Sequence, residues 1–432
     1  MTNSSFLKIL MLTFLSVLFA ETAFPCSMYK VTVNGKTMVG NNEDSWGRDP
    51  KIWFEQGRNG KFGCVCVGYA RKQHPDGAMN EHGLVFDAFS MPHKPNLPER
   101  DPDKKDFAYA DIKTIMQQCK TVDEVHAFLK EMNLHVLNGS VIFYGGMLLF
   151  VDKTGKYLVV EATRMTFGND NKFALANFSI ADTKDLSTIK TERYCKGVAF
   201  LNNKPLDTNL SFCAALSDTM SVNRAKVNDG TLYTNICDLE AGLIHLYFYH
   251  DFSKCITFNL KEELEKGDHS YYFAELFPDN QNFQKFLAYK TPQNSTPVFI
   301  FLVACGFLFF FSFAYFLISF FKSSNTNYNY LKPGIAALSI SLCVYMYVLL
   351  RNEGIFYFPS PYNDKHSLMV TLTSYLPFVL LAASIPLLTV MVKIFRHKSW
   401  NWFAKYLLAT NNFAYAILIA LFVYWKLFDI VN

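Results

Sequence analysis

Cys26 stands at the end of an apolar leader and at the head of a strand–turn–strand pattern that closes on two acids, Glu43 and Asp44. A cysteine that becomes the first residue of a processed chain carries nucleophile and base together, because its free α-amine can accept the thiol proton. Ser27 to Val33 reads as a strand, Asn34-Gly35 as a hairpin turn and Lys36 to Gly40 as the return strand. A two-residue turn sets Val33 opposite Lys36 and Thr32 opposite Thr37. Carried outward, that register brings Cys26 beside Glu43, with Asp44 next along. A carboxylate there can hold or orient the α-amine. A bulge would slip the pairing by one position, so the spacing predicts proximity and not a fixed pair. An ordinary surface hairpin with a loop acid satisfies the same local pattern.

The elements ahead of Cys26 have to release it. Phe6 to Ala20 is apolar, too short to cross a bilayer comfortably, and laid out like a secretory signal. A small-residue cleavage site fits best after Ala20, which leaves Glu21 to Pro25 as a short propeptide to be removed. Residues 1–25 are therefore expected to be signal peptide plus propeptide.

The elements behind it divide by charge. The net charge is only +4, and no nucleic-acid partner is expected from it. Charged residues are frequent to about residue 290 and then vanish from Pro297 to Phe321, Pro333 to Leu350, Ser367 to Val392 and Tyr406 to Trp425. Each stretch has about the length that a hydrocarbon core of roughly 30 Å demands of a helix. Lys322 and Lys332 fall between the first two spans, and Lys393, Arg396, Lys398 and Lys405 between the last two. Arg351 and Lys365 in the middle connection are offset by Glu353 and Asp364. The positive-inside rule puts the first and third connections in the cytoplasm and everything before Pro297 outside. The spans offer almost no ionisable groups, so they read as an anchor or assembly surface and not as a transport path.

Of the ten cysteines, Cys305 and Cys343 lie in spans; the others sit where an oxidising compartment would permit disulfides. Most read as small buried hydrophobes. Cys64-Val65-Cys66 is a poor zinc half-site, His82, His245 and His250 read as structural, and no metal or other cofactor is expected.

Strand signals recur at Phe62 to Tyr69, Leu84 to Phe89, Met147 to Val151, Tyr157 to Glu161, Phe173 to Phe178, Thr231 to Asp238, Leu243 to His250 and Cys255 to Leu260. Helical spacing covers Asp106 to Lys130, Val122 to Leu134 behind a Thr121 cap, Glu192 to Phe200 and Ser211 to Met220. Early hairpins, central helices and late hairpins predict an α+β layered domain. The expected division is 26–260 for that domain, 261–296 for a juxtamembrane linker and 297–432 for four membrane helices.

This order resembles the choloylglycine hydrolase family, cysteine N-terminal nucleophile hydrolases that include bile salt hydrolases and penicillin V acylases. The resemblance runs from about Cys26 to Leu260. The family opening of Cys, strand, turn, strand and Gly-Arg-(Asn or Thr)-x-Asp is met by Cys26 through Gly40-Asn41-Asn42-Glu43-Asp44, with Asn41 at the usual arginine position. Gly77-Ala78-Met79-Asn80-Glu81-His82-Gly83-Leu84 is similar to the family's Gly-Met-Asn-Glu-Lys-Gly-Leu turn. Leu175-Ala176-Asn177-Phe178 is similar to its later Thr-Asn strand end, Glu192-Arg193-Tyr194 to its Ser-Arg-Phe helix start, and Thr231 to Asn235 followed by Leu243 to Tyr249 to its closing strands. The four-span tail lies outside the family pattern.

The resemblance implies an αββα sandwich followed by an all-α transmembrane bundle, and hydrolysis of a linear amide in an N-acyl compound. By it, Cys26 is the nucleophile, Asp44 contacts its amine, Asn177 and Asn80 donate to the oxyanion, and Arg193 holds Asp44 or the nucleophile. Two other readings stay open. Asn42-Glu43-Asp44 also resembles a segment of a neighbouring cysteine dipeptidase family. Asn41 in place of arginine removes a fixed positive charge, as in a membrane sensor or binding protein that has kept the fold and lost catalysis. A homo-oligomer is compatible with either.

Overall fold

The computed structural model describes residues 26–71, 74–90, 97–137, 146–322, 327–364, 367–396 and 400–430. The expected signal and propeptide, 1–25, lie outside the described residues. The chain divides into two units, Ala23–Leu287 and a C-terminal unit Ala288–Asn432.

The first unit is a mixed helix-and-sheet structure. One sheet has the order Lys172–Ala176, Ser27–Val33, Lys36–Asp44, Asp229–Asp238, Leu243–Phe248, Asp251–Asn259, with the short Asn223–Arg224 paired to Asp229–Asp238. Its first hairpin turns at Asn34-Gly35 with φ of 51° and 81°, the left-handed pair that a two-residue turn requires. Val33 faces Lys36, Thr32 faces Thr37, and pairing runs without a slip to Ser27 opposite Asn42. Gly40 is small for a reason. A Cβ there would lie 2.3 Å from the Tyr29 ring, which crosses the strand to donate its hydroxyl to the Cys213 carbonyl at 2.6 Å. With Asn42 donating to the Ser217 carbonyl at 2.8 Å, this fastens the helix Leu210–Met220 onto the sheet.

The second sheet has the order Arg164–Gly168, Tyr157–Glu161, Gly146–Val151, Val85–Ser90, Gly77–Asn80, Cys64–Tyr69, Pro50–Glu55, His269–Tyr272. One face carries Cys64, Cys66, Phe86, Phe150, Leu158 and Val160, buried against Ile112, Ile115, Val122, Val125 and Leu129 of the helices Tyr109–Gln118 and Val122–Leu129. Truncating Phe86 or Phe150 to alanine in such a core costs about 3–5 kcal/mol. Alternation along the strands turns Val65, Val67, Tyr69 and Asp87 to the opposite face.

Thr121 caps its helix as expected, accepting from the Glu124 amide, but the helix stops at Leu129, and Met132–Leu137 is a strand parallel to Lys105–Phe107. The stretch expected as a linker also differs. Leu260–Glu265 is a helix capped by Asn259, and His269–Tyr272 adds an edge strand to Pro50–Glu55, so the first unit runs on to Leu287.

Among the described residues the C-terminal unit holds four helical stretches long and apolar enough to cross a membrane: Thr296–Lys322, Asn329–Arg351, Leu368–Arg396 and Trp402–Tyr424. At 1.5 Å per residue the first is about 40 Å long, ample for a hydrocarbon core. Phe307, Phe311, Ile318, Leu388 and Phe413 point outward. The interior is not wholly apolar. Ser312 donates to the Asn411 side-chain oxygen at 3.0 Å, and both are fully buried, as is Ser339.

Candidate active site

Cys26 enters the first sheet one residue before Ser27, so the register that pairs Ser27 with Asn42 sets it across from Glu43. The thiol donates to Glu43 Oε2 at 3.0 Å. Tyr69, reaching over from the second sheet, donates its hydroxyl to Glu43 Oε1 at 3.1 Å. Cys26, Glu43 and Tyr69 are all buried. Burial first, then Glu43, with Asp44 and Asp87 adding to it, holds the Cys26 thiol well above its ordinary range.

Asp87 lies on the second sheet in the middle of the apolar run Val85-Phe86-Asp87-Ala88-Phe89. It is 1% exposed, and burial followed by the charges of Glu43 and Asp76 pushes its carboxyl well up. Gly77 makes room for it, since a Cβ there would lie 2.6 Å from Asp87 Oδ2.

Asp44 follows Glu43 on the strand and so faces the other way. It accepts from the Thr231 hydroxyl at 2.5 Å. Burial raises it to about 6, against the opposing pull of Arg193, the Thr231 hydroxyl and Arg224. Arg224 is itself paired with Asp229 at 2.7 Å, and Trp46 donates to that same Asp229 oxygen at 2.7 Å.

Arg193 is the second residue of the helix Glu192–Asn203. Its Nε donates to the Cys26 carbonyl at 3.4 Å, and its Nη2 donates to the Asn177 side-chain oxygen. Asn177 follows directly on the strand Lys172–Ala176, whose Ala176 faces Ser27, and its amide donates to the Ser90 carbonyl at 2.5 Å. The structure thus brings Cys26, Asp44, Asn177 and Arg193 to one end of the first sheet.

Asn80 is used elsewhere. Its side-chain amide donates to the Met116 and Cys119 carbonyls at 2.9 and 2.8 Å, and its oxygen accepts from the His82 and Leu84 amides. Its backbone amide bonds the Leu84 carbonyl at 3.0 Å. Both amide hydrogens are committed to closing the turn and tying it to the helix above, so no donor remains for an oxyanion.

Asn41 puts a neutral amide where the family pattern has arginine, donating to Asn235 at 3.4 Å. His245 shares a hydrogen bond with Thr257, and His82 packs edge-on against Phe62. Among the described residues no group of three or more His, Cys, Asp or Glu is placed to hold a metal ion.

Tyr69 and Asp87 are absent from the set predicted by sequence, because the second sheet meets Cys26 only through the fold. Asp87 did leave a signal, a lone carboxylate inside an apolar strand. Glu43 was placed beside Cys26 by register, but its contact with the thiol itself is seen only in three dimensions.

No protein-family model and no curated protein sequence matches the chain. Solved structures do. A variant of conjugated bile acid hydrolase from Clostridium perfringens is similar at 16% identity and a TM-score of 0.46, covering 57% of this chain and 96% of that one. Penicillin V acylase from Agrobacterium tumefaciens is similar at 13% identity and a TM-score of 0.44, covering 57% and 90%. A Caenorhabditis elegans ortholog of N-acylethanolamine-hydrolyzing acid amidase is similar at 11% identity and a TM-score of 0.35, covering 50% and 92%.

Proposed function

We propose that this chain is a membrane-anchored hydrolase of linear amide bonds in N-acyl compounds, with an αββα catalytic domain held outside the cytoplasm by four transmembrane helices. One observation carries the reading: a buried cysteine at a strand head donates its thiol to Glu43 at 3.0 Å, while Arg193 holds both its carbonyl and the Asn177 side chain.

Once Cys26 is the N-terminus, its α-amine takes the thiol proton; reference values near 8 and 8.5 make that transfer nearly even before the site acts on it. The thiolate adds to the amide carbonyl. Asn177, oriented by Arg193, donates to the oxyanion, a contribution of about 3–4 kcal/mol to the barrier. The protonated amine delivers its proton to the leaving nitrogen, and water resolves the thioester. Asp44 sits close enough to act on the site's charge from behind the strand. Asn80 has no part in this scheme.

The test is the mature N-terminus and activity of the purified full chain, read by intact mass, terminal sequencing and a panel of N-acyl amides and dipeptides. A chain that begins at Cys26 and hydrolyses an N-acyl amide, with Cys26→Ala at least about 1000-fold slower, upholds the reading. Turnover of dipeptides alone moves the substrate class. A second reading, a binding domain that has lost catalysis, is favoured by the acids that keep the thiol protonated and by the neutral Asn41. It prevails if the chain keeps residues ahead of Cys26 and no amide is turned over.

A further inference from the structure

While Cys26 is still joined to Pro25 its nitrogen is an amide, whose lone pair is delocalised and accepts no proton at ordinary pH. The base assigned to catalysis is therefore missing at the moment when the chain first has to be cut. Glu43 is positioned to fill that place. Its Oε2 lies 3.0 Å from the Cys26 sulfur and already accepts the thiol hydrogen. Its other oxygen is pinned by the Tyr69 hydroxyl at 3.1 Å, which fixes the carboxylate and leaves Oε2 turned to the sulfur. Arg193 steadies the Cys26 backbone from the other side through its carbonyl. Asp44, the neighbouring acid, points to the opposite face and accepts from Thr231.

We propose that Glu43 is the general base for removal of the segment ahead of Cys26, a step that rests on the N-terminal nucleophile reading above. The thiol proton passes to Glu43 as the sulfur attacks the Pro25 carbonyl carbon. The new C–S bond forms, the C–N bond to Cys26 breaks, and the nitrogen keeps the electron pair and recovers the proton from Glu43. This leaves a thioester and a free α-amine. One water then hydrolyses the thioester, its hydroxyl going to the Pro25 carbonyl carbon and its hydrogen to the sulfur. Nothing is oxidised or reduced. Glu43 acts once per molecule, and the amine it releases then takes over as base. A carboxylate next to the thiol is a poor partner for a standing thiolate but a sufficient one for a single turnover.

The experiment follows cleavage of the purified full chain over time by terminal sequencing, in wild type, Cys26→Ala, Glu43→Gln and Glu43→Asp. A parallel set carries a site-specific protease sequence in place of residues 20–25, so that Cys26 is exposed on demand. The proposal expects self-cleavage in wild type, none in Cys26→Ala, at least a 100-fold slower rate in Glu43→Gln, and partial rescue with an altered pH profile in Glu43→Asp. Melting of uncut Glu43→Gln within a few degrees of uncut Cys26→Ala separates this from misfolding. If Glu43→Gln does melt early, the Glu43→Asp rate and pH profile decide. Cleavage of Glu43→Gln at the wild-type rate, cleavage of Cys26→Ala, failure of Glu43→Asp to recover anything, or a wild type that never cuts itself each overturns it. The hydrolase reading is judged apart, on amide turnover by the protease-released wild type. That chain can be active while the Glu43 proposal fails, or inactive while it stands.

Discussion

The strand Lys36–Asp44 ends in two adjacent acids that meet different surroundings on its two faces. Toward the second sheet, Glu43 accepts from a thiol and a phenol, and Asp87 adds to what holds the thiol up. Toward the helices, Asp44 accepts from a hydroxyl and feels two arginines. One residue of pleat separates a carboxylate that accepts from a thiol from a carboxylate set under the influence of two arginines. The family resemblance points at Asp44 because it falls on the aspartate of the pattern. The geometry adds Glu43, which falls on the unspecified position before it.

The largest expected effect comes from the residue that bonds Cys26 and also acts on Asp44. Arg193→Ala removes the donor to the Cys26 carbonyl and to Asn177 together, and kcat/KM on an N-acyl amide should fall by about 100- to 1000-fold. An unchanged kcat/KM would reduce Arg193 to a surface helix residue.

The next test separates the two faces by pH. Asp44 is raised to about 6 in the fold and titrates near 3.9 when unfolded, so the native state takes up its proton first as pH falls. Stability contributed by this group therefore grows as pH falls through 6 toward 4, by up to about 3 kcal/mol. Asp87, pushed up mainly by burial, works in the same direction. Thermal melts at pH 7 and pH 5 should place the uncut Cys26→Ala chain further toward stability in acid than Asp44→Asn on that background, while His135, His245 and His250, lowered by burial, pull both chains the other way. Equal gains in both chains would place the titration elsewhere.

Smaller still, Thr231→Val leaves a buried carboxylate oxygen without its hydroxyl donor and should cost about 1–3 kcal/mol at neutral pH. Tyr69→Phe, on the other face, removes the hydroxyl that donates to Glu43 and should cost about 1 kcal/mol. If Tyr69→Phe proved the more damaging of the two in denaturant melts, the thiol face would be the more tightly organised one.

What could be read from sequence was what short range controls. The Asn34-Gly35 turn fixes its own hairpin and so the whole register out to Cys26. The Thr121 cap and the four uncharged stretches are equally local signals. Reach across the fold could not be read. Asn80 looked like an oxyanion donor because its turn matches a family motif, but its amide is bound by Met116 and Cys119, more than thirty residues on. The helix expected through Leu134 ends at Leu129 because Met132–Leu137 has a strand partner in Lys105–Phe107. His269–Tyr272 is a four-residue piece inside a polar stretch and is held as a strand by pairing with Pro50–Glu55.

Of the ten cysteines, Cys195 and Cys255 are exposed, Cys343 is half-buried and the other seven are buried. The native chain should therefore take up two equivalents of a bulky maleimide quickly and the rest slowly. Any covalent inhibitor aimed at Cys26 meets those two bystanders first. With both replaced by serine, the rate of labelling at Cys26 itself, read by peptide mapping, becomes a clock for how often its buried site opens.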